Sequence, residues 1–248
     1  MHIIGKRLSD LVEENHTYAL VLHNFGIKFI PIPKRPLEQV CRERGLNLNQ
    51  VKRSLESIHQ RNTEEISLER CPVDLIIHYL KHSHSRFINQ KLPYMARLIE
   101  DLDVGQIGDA QLVKDLQIFF PLFVEEFICH IHEEEDSFFS YVITLLRAST
   151  GQYNLARLYY DMENHSLQYF LLDHHTHDDE MRGIREITNN YSLPAHPSLH
   201  LKVLYSELLS LEGELHAHAQ IEDEILFVKA LKLENLVKEM LKRRIKLN

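Results

Sequence analysis

The 248-residue chain has little of several residue types, and each shortage excludes a class of protein. It contains no tryptophan, three cysteines, eight glycines and eight prolines. The scarcity of glycine and proline argues against a turn-rich β fold or a collagen-like repeat. Three scattered cysteines do not form a disulfide framework, so a reducing cytoplasm is the expected location.

Long hydrophobic runs and an excess of positive charge are also missing. No apolar run reaches the roughly 18 residues of a membrane span, and the N-terminus lacks the apolar core of a signal peptide. The formal net charge of −8 argues against generic nucleic-acid binding. Hydrophobic residues make up 44% of the chain and charged residues 26%, which is ordinary globular composition. We therefore expect a globular protein with no membrane and no nucleic-acid partner.

Charge and periodicity divide the chain into unequal parts and predict an all-α fold. Residues 1–61 hold ten basic and six acidic residues, net +4, which leaves −12 for the rest. They are expected to form a small helical domain that depends on a neighbour or a second chain, because so short a piece buries little surface. In residues 72–231, apolar residues recur every three or four positions over four long segments, which predicts an up-down-up-down four-helix bundle. Residues 232–248 are expected to form a basic helical tail. Pro93 and Pro121 should each kink or break a helix.

The 17 histidines are the unusual part of the composition, and ten of them fall in four clusters, one on each bundle helix. The clusters are His78, His82 and His84; His130 and His132; His174, His175 and His177; His216 and His218. The second and fourth clusters share a longer pattern of His, three residues, Glu, two acidic residues, and Phe five positions after the Glu. This pattern leads from His130 to Glu134 and Phe139, and from His218 to Glu222 and Phe227. A single pair would be weak evidence, but the repeat indicates a duplicated helical hairpin.

Helical geometry brings the repeated residues to one level of the predicted bundle. The predicted helix from His84 to the next turn and the predicted helix from that turn to His130 are each roughly 28 Å long, at 1.5 Å per residue. Residues four apart lie on one helix face, so each His and its Glu project inward together. Four helices then deliver four imidazoles and two carboxylates to one layer of the core. The six residues are His84, His130, Glu134, His174, His218 and Glu222.

This set of side chains favours a metal centre. An unpaired buried carboxylate costs several kcal/mol, and mixed imidazole and carboxylate ligation suits iron, manganese or zinc. Six ligands are too many for one tetrahedral zinc, so two metals bridged by Glu134 and Glu222 are the economical arrangement. Buried His–Glu ion pairs, a zinc site and a purely structural histidine-rich bundle stay open as alternatives. No hydrolase or transferase motif is present, so we assign no catalytic residue and leave open whether the protein is an enzyme.

The order of the ligands adds a family resemblance. Ferritin-like carboxylate sites use Glu-x-x-His, whereas here the histidine comes first and the spacing is four, which resembles the hemerythrin-like superfamily. The whole chain resembles the iron–sulfur cluster repair di-iron proteins (the repair-of-iron-centres family), which join a small N-terminal domain to such a bundle. In the small domain the similar stretches are 6–15, 25–37 and 41–48. In the bundle they are the six residues above, Leu92-Pro93 and 184–191, and the last of these selects His174 over His177.

The resemblance implies a function and a cofactor. It implies two iron ions joined by an oxo bridge and held by His84, His130, Glu134, His174, His218 and Glu222. Such a non-haem di-iron protein would react with nitric oxide or oxygen and support the repair of damaged iron–sulfur clusters under nitrosative or oxidative stress. The expected partners are a small diatomic ligand and damaged iron–sulfur proteins, and a homodimer is left open. The alternative is a hemerythrin-like oxygen or nitric oxide sensor or carrier without turnover.

One stretch of the small domain departs from the family pattern. The family places a Cys-Cys pair before Gly-Gly-Lys, whereas this chain has Ile30-Pro-Ile-Pro-Lys34, so both thiols are missing. Their loss favours the sensor or carrier. Cys129, beside His130, is expected to point away from the metal and to pack. The remaining clustered histidines are expected to have surface or supporting roles.

Overall fold

The computed structural model describes residues 3–15, 18–27, 35–57, 68–153, 155–164, 167 and 179–246. These residues are mostly helical, and no strand occurs among them apart from one isolated bridge between Arg7 and Pro36. The predicted all-α helical-bundle fold is confirmed. Within the described ranges, no helix is both long enough and apolar enough to cross a membrane.

The chain forms two compact units, each built from three stretches of sequence. Unit 1 comprises Met1–Ile66, Ile88–Leu122 and Arg182–Gly213. Unit 2 comprises Ser67–Phe87, Phe123–Met181 and Glu214–Asn248. The domain boundaries expected from the sequence, at 1–61, 72–231 and 232–248, stay a prediction.

Four short helices begin unit 1. They are α1 (Leu8–Glu14), α2 (Tyr18–Asn24), α3 (Leu37–Glu43) and α4 (Leu48–Ser57). Helices of seven to ten residues are marginal alone, so packing must stabilise them. That packing comes from side chains that are fully or almost fully buried: Leu8, Leu11, Leu22, Leu37, Val51 and Leu55.

Among the residues that the structure describes, most of the remaining helices form four segments, and three of these contain a π-helical turn. The first segment is α5 (Val73–Arg86), π1 (Phe87–Lys91) and α6 (Leu92–Glu100). After the short α7 (Val104–Ile107), the second is α8 (Ala110–Glu133), π2 (Glu134–Phe139) and α9 (Ser140–Ser149). The third contributes α10 (Leu155–Asn164) and α11 (Arg182–Ile187). The fourth is α12 (Leu199–Gln220), π3 (Ile221–Phe227) and α13 (Val228–Lys246).

The two prolines behave differently. Pro93 follows π1 directly, at the start of α6. A proline ring clashes with the carbonyl four residues earlier, here that of Asn89, and the wider π turn contains that residue. The local break predicted at Pro93 is therefore present. Pro121 lies inside α8, which continues to Glu133, so the helix does not break there, and a kink at Pro121 stays a prediction.

The core of unit 2 is an apolar cluster to which four helical segments contribute. Its buried members are Val73, Ile76, Ile77, Leu80, Phe138, Phe139, Tyr141, Val142, Leu145, Ala148, Leu158, Leu167, Leu226, Phe227, Ala230 and Val237. Burying each large apolar side chain stabilises the fold by about 1.5–3 kcal/mol. Because this cluster includes the two phenylalanines of the sequence repeat, it lies next to the predicted metal ligands.

Gly183 of α11 leaves no room for a side chain. A Cβ atom built there would clash with Cζ of Phe119, whereas one at Gly213 of α12 would meet nothing within 4 Å. We expect Gly183→Ala to lower the free energy of unfolding by about 1 kcal/mol, because the Phe119 ring must move. The matched substitution Gly213→Ala should raise it by about 0.5–1 kcal/mol. Equilibrium urea unfolding measures both, and equal effects of the two substitutions would contradict the contact.

His200 of α12 should make unit 1 sensitive to acid. It is buried, and its Nε2–H donates to the carbonyl oxygen of Leu98 at 2.7 Å. Burial lowers its pKa below the ordinary 6.5, although the bond to Leu98 and the charge of Asp101 oppose the shift. The unfolded chain therefore binds this proton at a higher pH than the folded one. Stability should fall as the pH drops below about 6.5, by up to about 1.4 kcal/mol per pH unit.

The substitution His200→Gln tests this assignment. Glutamine retains an N–H donor for Leu98 but does not titrate. Urea unfolding at pH 7.5, 6.5 and 5.5 should therefore give a shallower loss of stability towards acid in the variant than in the wild type. A variant with the slope of the wild type would show that His200 is not the group responsible.

Candidate metal centre

Four of the six predicted ligands meet in unit 2. His84, Glu134, His218 and Glu222 each offer one donor atom, and these atoms all lie within 4.8 Å of one another. The four residues are only 2%, 7%, 9% and 3% exposed, respectively, which removes them almost completely from water. His84 lies near the end of α5 and His218 near the end of α12, while each glutamate lies in a π turn.

The π turns explain the five-residue spacing of the sequence repeat. π2 begins at Glu134 and ends at Phe139, and π3 contains Glu222 and ends at Phe227. The hydrogen bonds of a π helix join residues five apart, and such turns are frequent at functional sites. All four of these side chains are buried. Each repeat therefore directs a carboxylate and the phenylalanine five positions later to the interior.

The two buried imidazoles present the same nitrogen to the cluster. His84 Nε2 lies 2.8 Å from His218 Nε2. It also lies 3.5 Å from Glu134 Oε2, while His218 Nε2 lies 3.2 Å from Glu222 Oε1. These nitrogens and carboxylate oxygens converge on one small volume.

Glu134 lies between two different histidines. Its Oε2 atom faces His84, and its Oε1 atom lies 3.4 Å from Nε2 of His130. His130 and Glu134 therefore share a helix face, as their four-residue spacing predicted. His130 lies at the rim of the cluster, with 22% of its side chain exposed. Glu134 therefore presents one carboxylate oxygen to each of two imidazoles.

His174 lies outside the described residues, as do His175 and His177. The structure therefore brings together His84, Glu134, His218 and Glu222, with His130 beside them. The assignment of His84, His130, Glu134, His174, His218 and Glu222 as metal ligands stays a prediction.

The electrostatics of the cluster fit a bound cation. Burial lowers the pKa of His84, and the neighbouring His218 lowers it further. Burial also lowers the pKa of His218, but the carboxylates of Glu222, Glu134 and Glu180 outweigh burial and raise it. Glu134 and Glu222 are buried beside these two imidazoles, and uncompensated buried charge is costly. Mixed nitrogen and oxygen donors are the donor set that iron, manganese and zinc accept.

Aromatic rings line the cluster. Phe139 stacks on His84 with ring centroids 5.7 Å apart and planes at 4°, and Phe87 meets His218 edge-on at 5.7 Å. Phe127 in turn contacts Phe87 at 5.9 Å. These rings exclude water, and electrostatic interactions are stronger in the resulting low-dielectric surroundings.

Comparison with curated proteins tests the family resemblance. An iron-sulfur cluster repair protein ScdA of Staphylococcus epidermidis is 23% identical over 232 residues, covering 90% of this chain and 96% of that protein. A probable iron-sulfur cluster repair protein of Haemophilus influenzae is 21% identical over 238 residues, covering 93% and 99%. The iron-sulfur cluster repair protein YtfE of Musicola paradisiaca is also 21% identical over 238 residues, covering 94% and 100%. The predicted resemblance to iron–sulfur cluster repair proteins is confirmed.

The similarity extends over 90–94% of the chain. No protein-family model matches the chain. The segment that departs from the family's Cys-Cys pair, 30–34, lies outside the described residues. Cys41 lies on α3, and burial raises the pKa of its thiol, which makes it a poor substitute for reactive thiols.

Four other clustered histidines and Cys129 lie on the surface. His78, His82, His132 and His216 are exposed, in agreement with the surface roles expected for them. Cys129 is also exposed, so the packing role predicted for it is wrong. The helix there turns its apolar face inward through Phe127 and Ile131, which leaves Cys129 on the opposite side.

Sequence reasoning missed two carboxylates next to the centre. Glu135 Oε1 lies 2.9 Å from Nδ1 of His84, and Glu180 Oε1 lies 3.7 Å from Nε2 of His130. Burial raises the pKa of Glu135, but its hydrogen bonds with His84 and Lys81 outweigh burial and lower it. Each glutamate stands in a run of acidic residues in the sequence, and nothing in those runs distinguishes it from its neighbours.

Proposed function

We propose that the chain is a non-haem di-iron protein that supports the repair of damaged iron–sulfur clusters under nitrosative or oxidative stress, through reaction with nitric oxide or oxygen. The observation that carries the proposal is the position of Glu134, with one oxygen at His84 and the other at His130. Similarity to three proteins named for iron–sulfur cluster repair supports the same function.

Six side chains would hold the two proposed irons. His84, His130 and His218 would ligate through Nε2, Glu134 and Glu222 would bridge and neutralise charge, and His174 would complete the set. Bound iron would supply a redox-active centre with an open position for a diatomic ligand. Phe139 and Phe87 shield the imidazoles from water, and their rings restrict how far His84 and His218 can turn.

Iron is favoured over manganese by the donors themselves. Imidazole suits iron, whereas manganese sites are richer in carboxylate and carbonyl oxygens. The described cluster with His130 contains three imidazoles and two carboxylates. The names of the similar proteins refer to iron–sulfur clusters, which supports the same metal.

The proposed partners follow from this centre. The small ligand is oxygen or nitric oxide, the macromolecular partner is a damaged iron–sulfur protein, and the setting is the cytoplasm. Because the small domain lacks the Cys-Cys pair, we propose that it contacts the partner or a second copy of the chain through its basic surface and performs no thiol chemistry.

The second candidate function is an oxygen or nitric oxide sensor or carrier without turnover. The replacement of the Cys-Cys pair by Ile30-Pro-Ile-Pro-Lys34 favours it, because a carrier needs a diatomic-binding centre but no thiols that transfer iron.

A repair assay separates the two functions. A 4Fe–4S enzyme inactivated by nitric oxide is incubated anaerobically with the iron-loaded chain, and its activity is followed. Repair predicts faster recovery than with the same amount of free iron(II). Recovery should be lost with Glu222→Ala and retained with Glu224→Ala, an exposed neighbour in π3. Reversible nitric oxide binding with no gain over free iron would overturn the repair function and favour the carrier.

A further inference from the structure

Glu135, which is outside the predicted ligand set, contacts the ring nitrogen of His84 that faces away from the cluster. Nδ1 of His84 is 2.9 Å from Glu135 Oε1, whereas Nε2 faces the cluster, 2.8 Å from His218 Nε2. A neutral imidazole has one N–H donor and one acceptor nitrogen. A carboxylate only accepts hydrogen bonds, so it requires the proton on Nδ1. The lone pair of His84 is then on Nε2, directed at the cluster.

Glu135 also forms an ion pair with a partly solvent-exposed lysine. Its Oε2 atom lies 3.1 Å from Nζ of Lys81, and the side chains of Lys81 and Glu135 are 42% and 26% exposed. A surface cleft of about 350 Å³, whose lining includes Lys81, Glu135 and Arg147, gives access to this pair. The chain of contacts therefore runs from a surface cation through Glu135 to an imidazole that is almost fully buried.

The other buried imidazole has no such support among the residues that the structure describes. Nδ1 of His218 is buried and makes no hydrogen bond there. His84 and His218 consequently differ as ligands, although both present Nε2 to the same volume. An imidazole whose outer nitrogen donates to a carboxylate is more basic and is fixed in orientation.

We propose that Glu135 is a positioning residue for the metal centre. It holds His84 in the tautomer with the proton on Nδ1 and aims Nε2 at the metal. This inference rests on the proposed function, since it requires that His84 ligates a metal. It adds a residue outside the ligand set and makes His84 the better oriented of the two buried histidines.

Three variants of the full-length chain test the proposal by anaerobic competition for iron(II) with a chromogenic ferrous chelator. Glu135→Ala should weaken iron binding by about 10–100-fold, the usual cost of removing such a support. Glu135→Gln should weaken it less, because its amide oxygen still accepts from Nδ1. Glu133→Gln is the matched control, since Glu133 is exposed two residues earlier on the same helical segment, and its affinity should equal that of the wild type.

A second readout uses the metal-free protein. Nitrogen-15 NMR of the imidazoles should show His84 with its proton on Nδ1 in the wild type and a mixture of tautomers in Glu135→Ala. Thermal melting of the same samples reports folding. A loss of thermal stability with unchanged affinity and tautomer would reveal a merely structural role and overturn the proposal.

The outcomes distinguish this proposal from the proposed function. If the wild type binds iron and both Glu135→Ala and Glu135→Gln bind it with the same affinity, the role of Glu135 is overturned. The proposed di-iron function would then still stand. A wild type that binds no iron would overturn both. The structure predicts that iron affinity falls from the wild type to Glu135→Gln and falls further in Glu135→Ala. It also predicts the change of tautomer at His84.

Discussion

Glu134→Ala and Glu222→Ala should each remove most of the iron that we propose the chain binds. Glu134 lies between two imidazoles and Glu222 beside a third, so either substitution removes a ligand that we assign to both metal ions. The expected loss of affinity exceeds the roughly 100-fold upper range for residues that only support a ligand. Elemental analysis of the desalted protein, with iron expressed per chain, measures the effect.

Neighbouring glutamates provide matched controls. Glu133 and Glu224 are exposed and lie next to the proposed ligands on the same helical segments, so Glu133→Ala and Glu224→Ala remove the same charge from the surface. Both should retain the iron content of the wild type. Unchanged iron in Glu134→Ala and in Glu222→Ala would refute the bridging roles. Loss of iron in the controls would show that general negative charge, and not ligation, retains the metal.

Phe139→Ala should lower the free energy of unfolding by about 3–5 kcal/mol, the usual cost of truncating a buried phenylalanine. The side chain is 1% exposed, stacks on His84 and contacts Phe138. Its removal opens a cavity beside the imidazole, so His84 also loses the ring that restricts it. Urea unfolding of the metal-free protein measures the loss of stability, and an iron titration of the same variant measures the effect on the centre.

Tyr160→Ala is the control for this truncation. Tyr160 lies on α10 in the same unit and is 68% exposed, so its removal should change stability by less than about 0.5 kcal/mol. Similar losses for Phe139→Ala and Tyr160→Ala would mean that Phe139 is not part of a packed core.

The helix faces of the site could be predicted from the sequence because they depend only on local geometry. His130 and Glu134 are four residues apart in one helical segment, and their side chains meet at 3.4 Å as that spacing requires. The convergence of His84 with Glu134 was predictable from the lengths of the two helical legs. The burial of Glu134 and Glu222 followed from their place in the repeat beside phenylalanines.

The π turns could not be predicted, because a regular apolar period of three and four does not show where one residue is inserted into a helix. This insertion decides which residues after Glu134 face inward. In the structure Glu133 is exposed, Glu134 enters the cluster and Glu135 reaches Nδ1 of His84. The five-residue spacing of Glu134 and Phe139 was the available signal, and it indicates a π turn only once the ends of π2 are known.

The C-terminal residues show a second limit of sequence patterns. Residues 232–246 belong to α13, and Val237 lies in the core of unit 2. An amphipathic basic helix has the same apolar stripe whether it covers a bundle, a partner or a membrane surface. Composition therefore predicted the helix but could not identify what the stripe covers.

The metal content of the wild-type protein tests the central claim most directly. The chain is purified anaerobically, and its metals are measured by elemental analysis against the protein concentration. The di-iron account predicts about two irons per chain, held by four histidines and two carboxylates in the manner of bundle-core metal sites. One zinc per chain, or no metal at all, would contradict it and leave the buried histidines and glutamates as a structural ion-pair cluster.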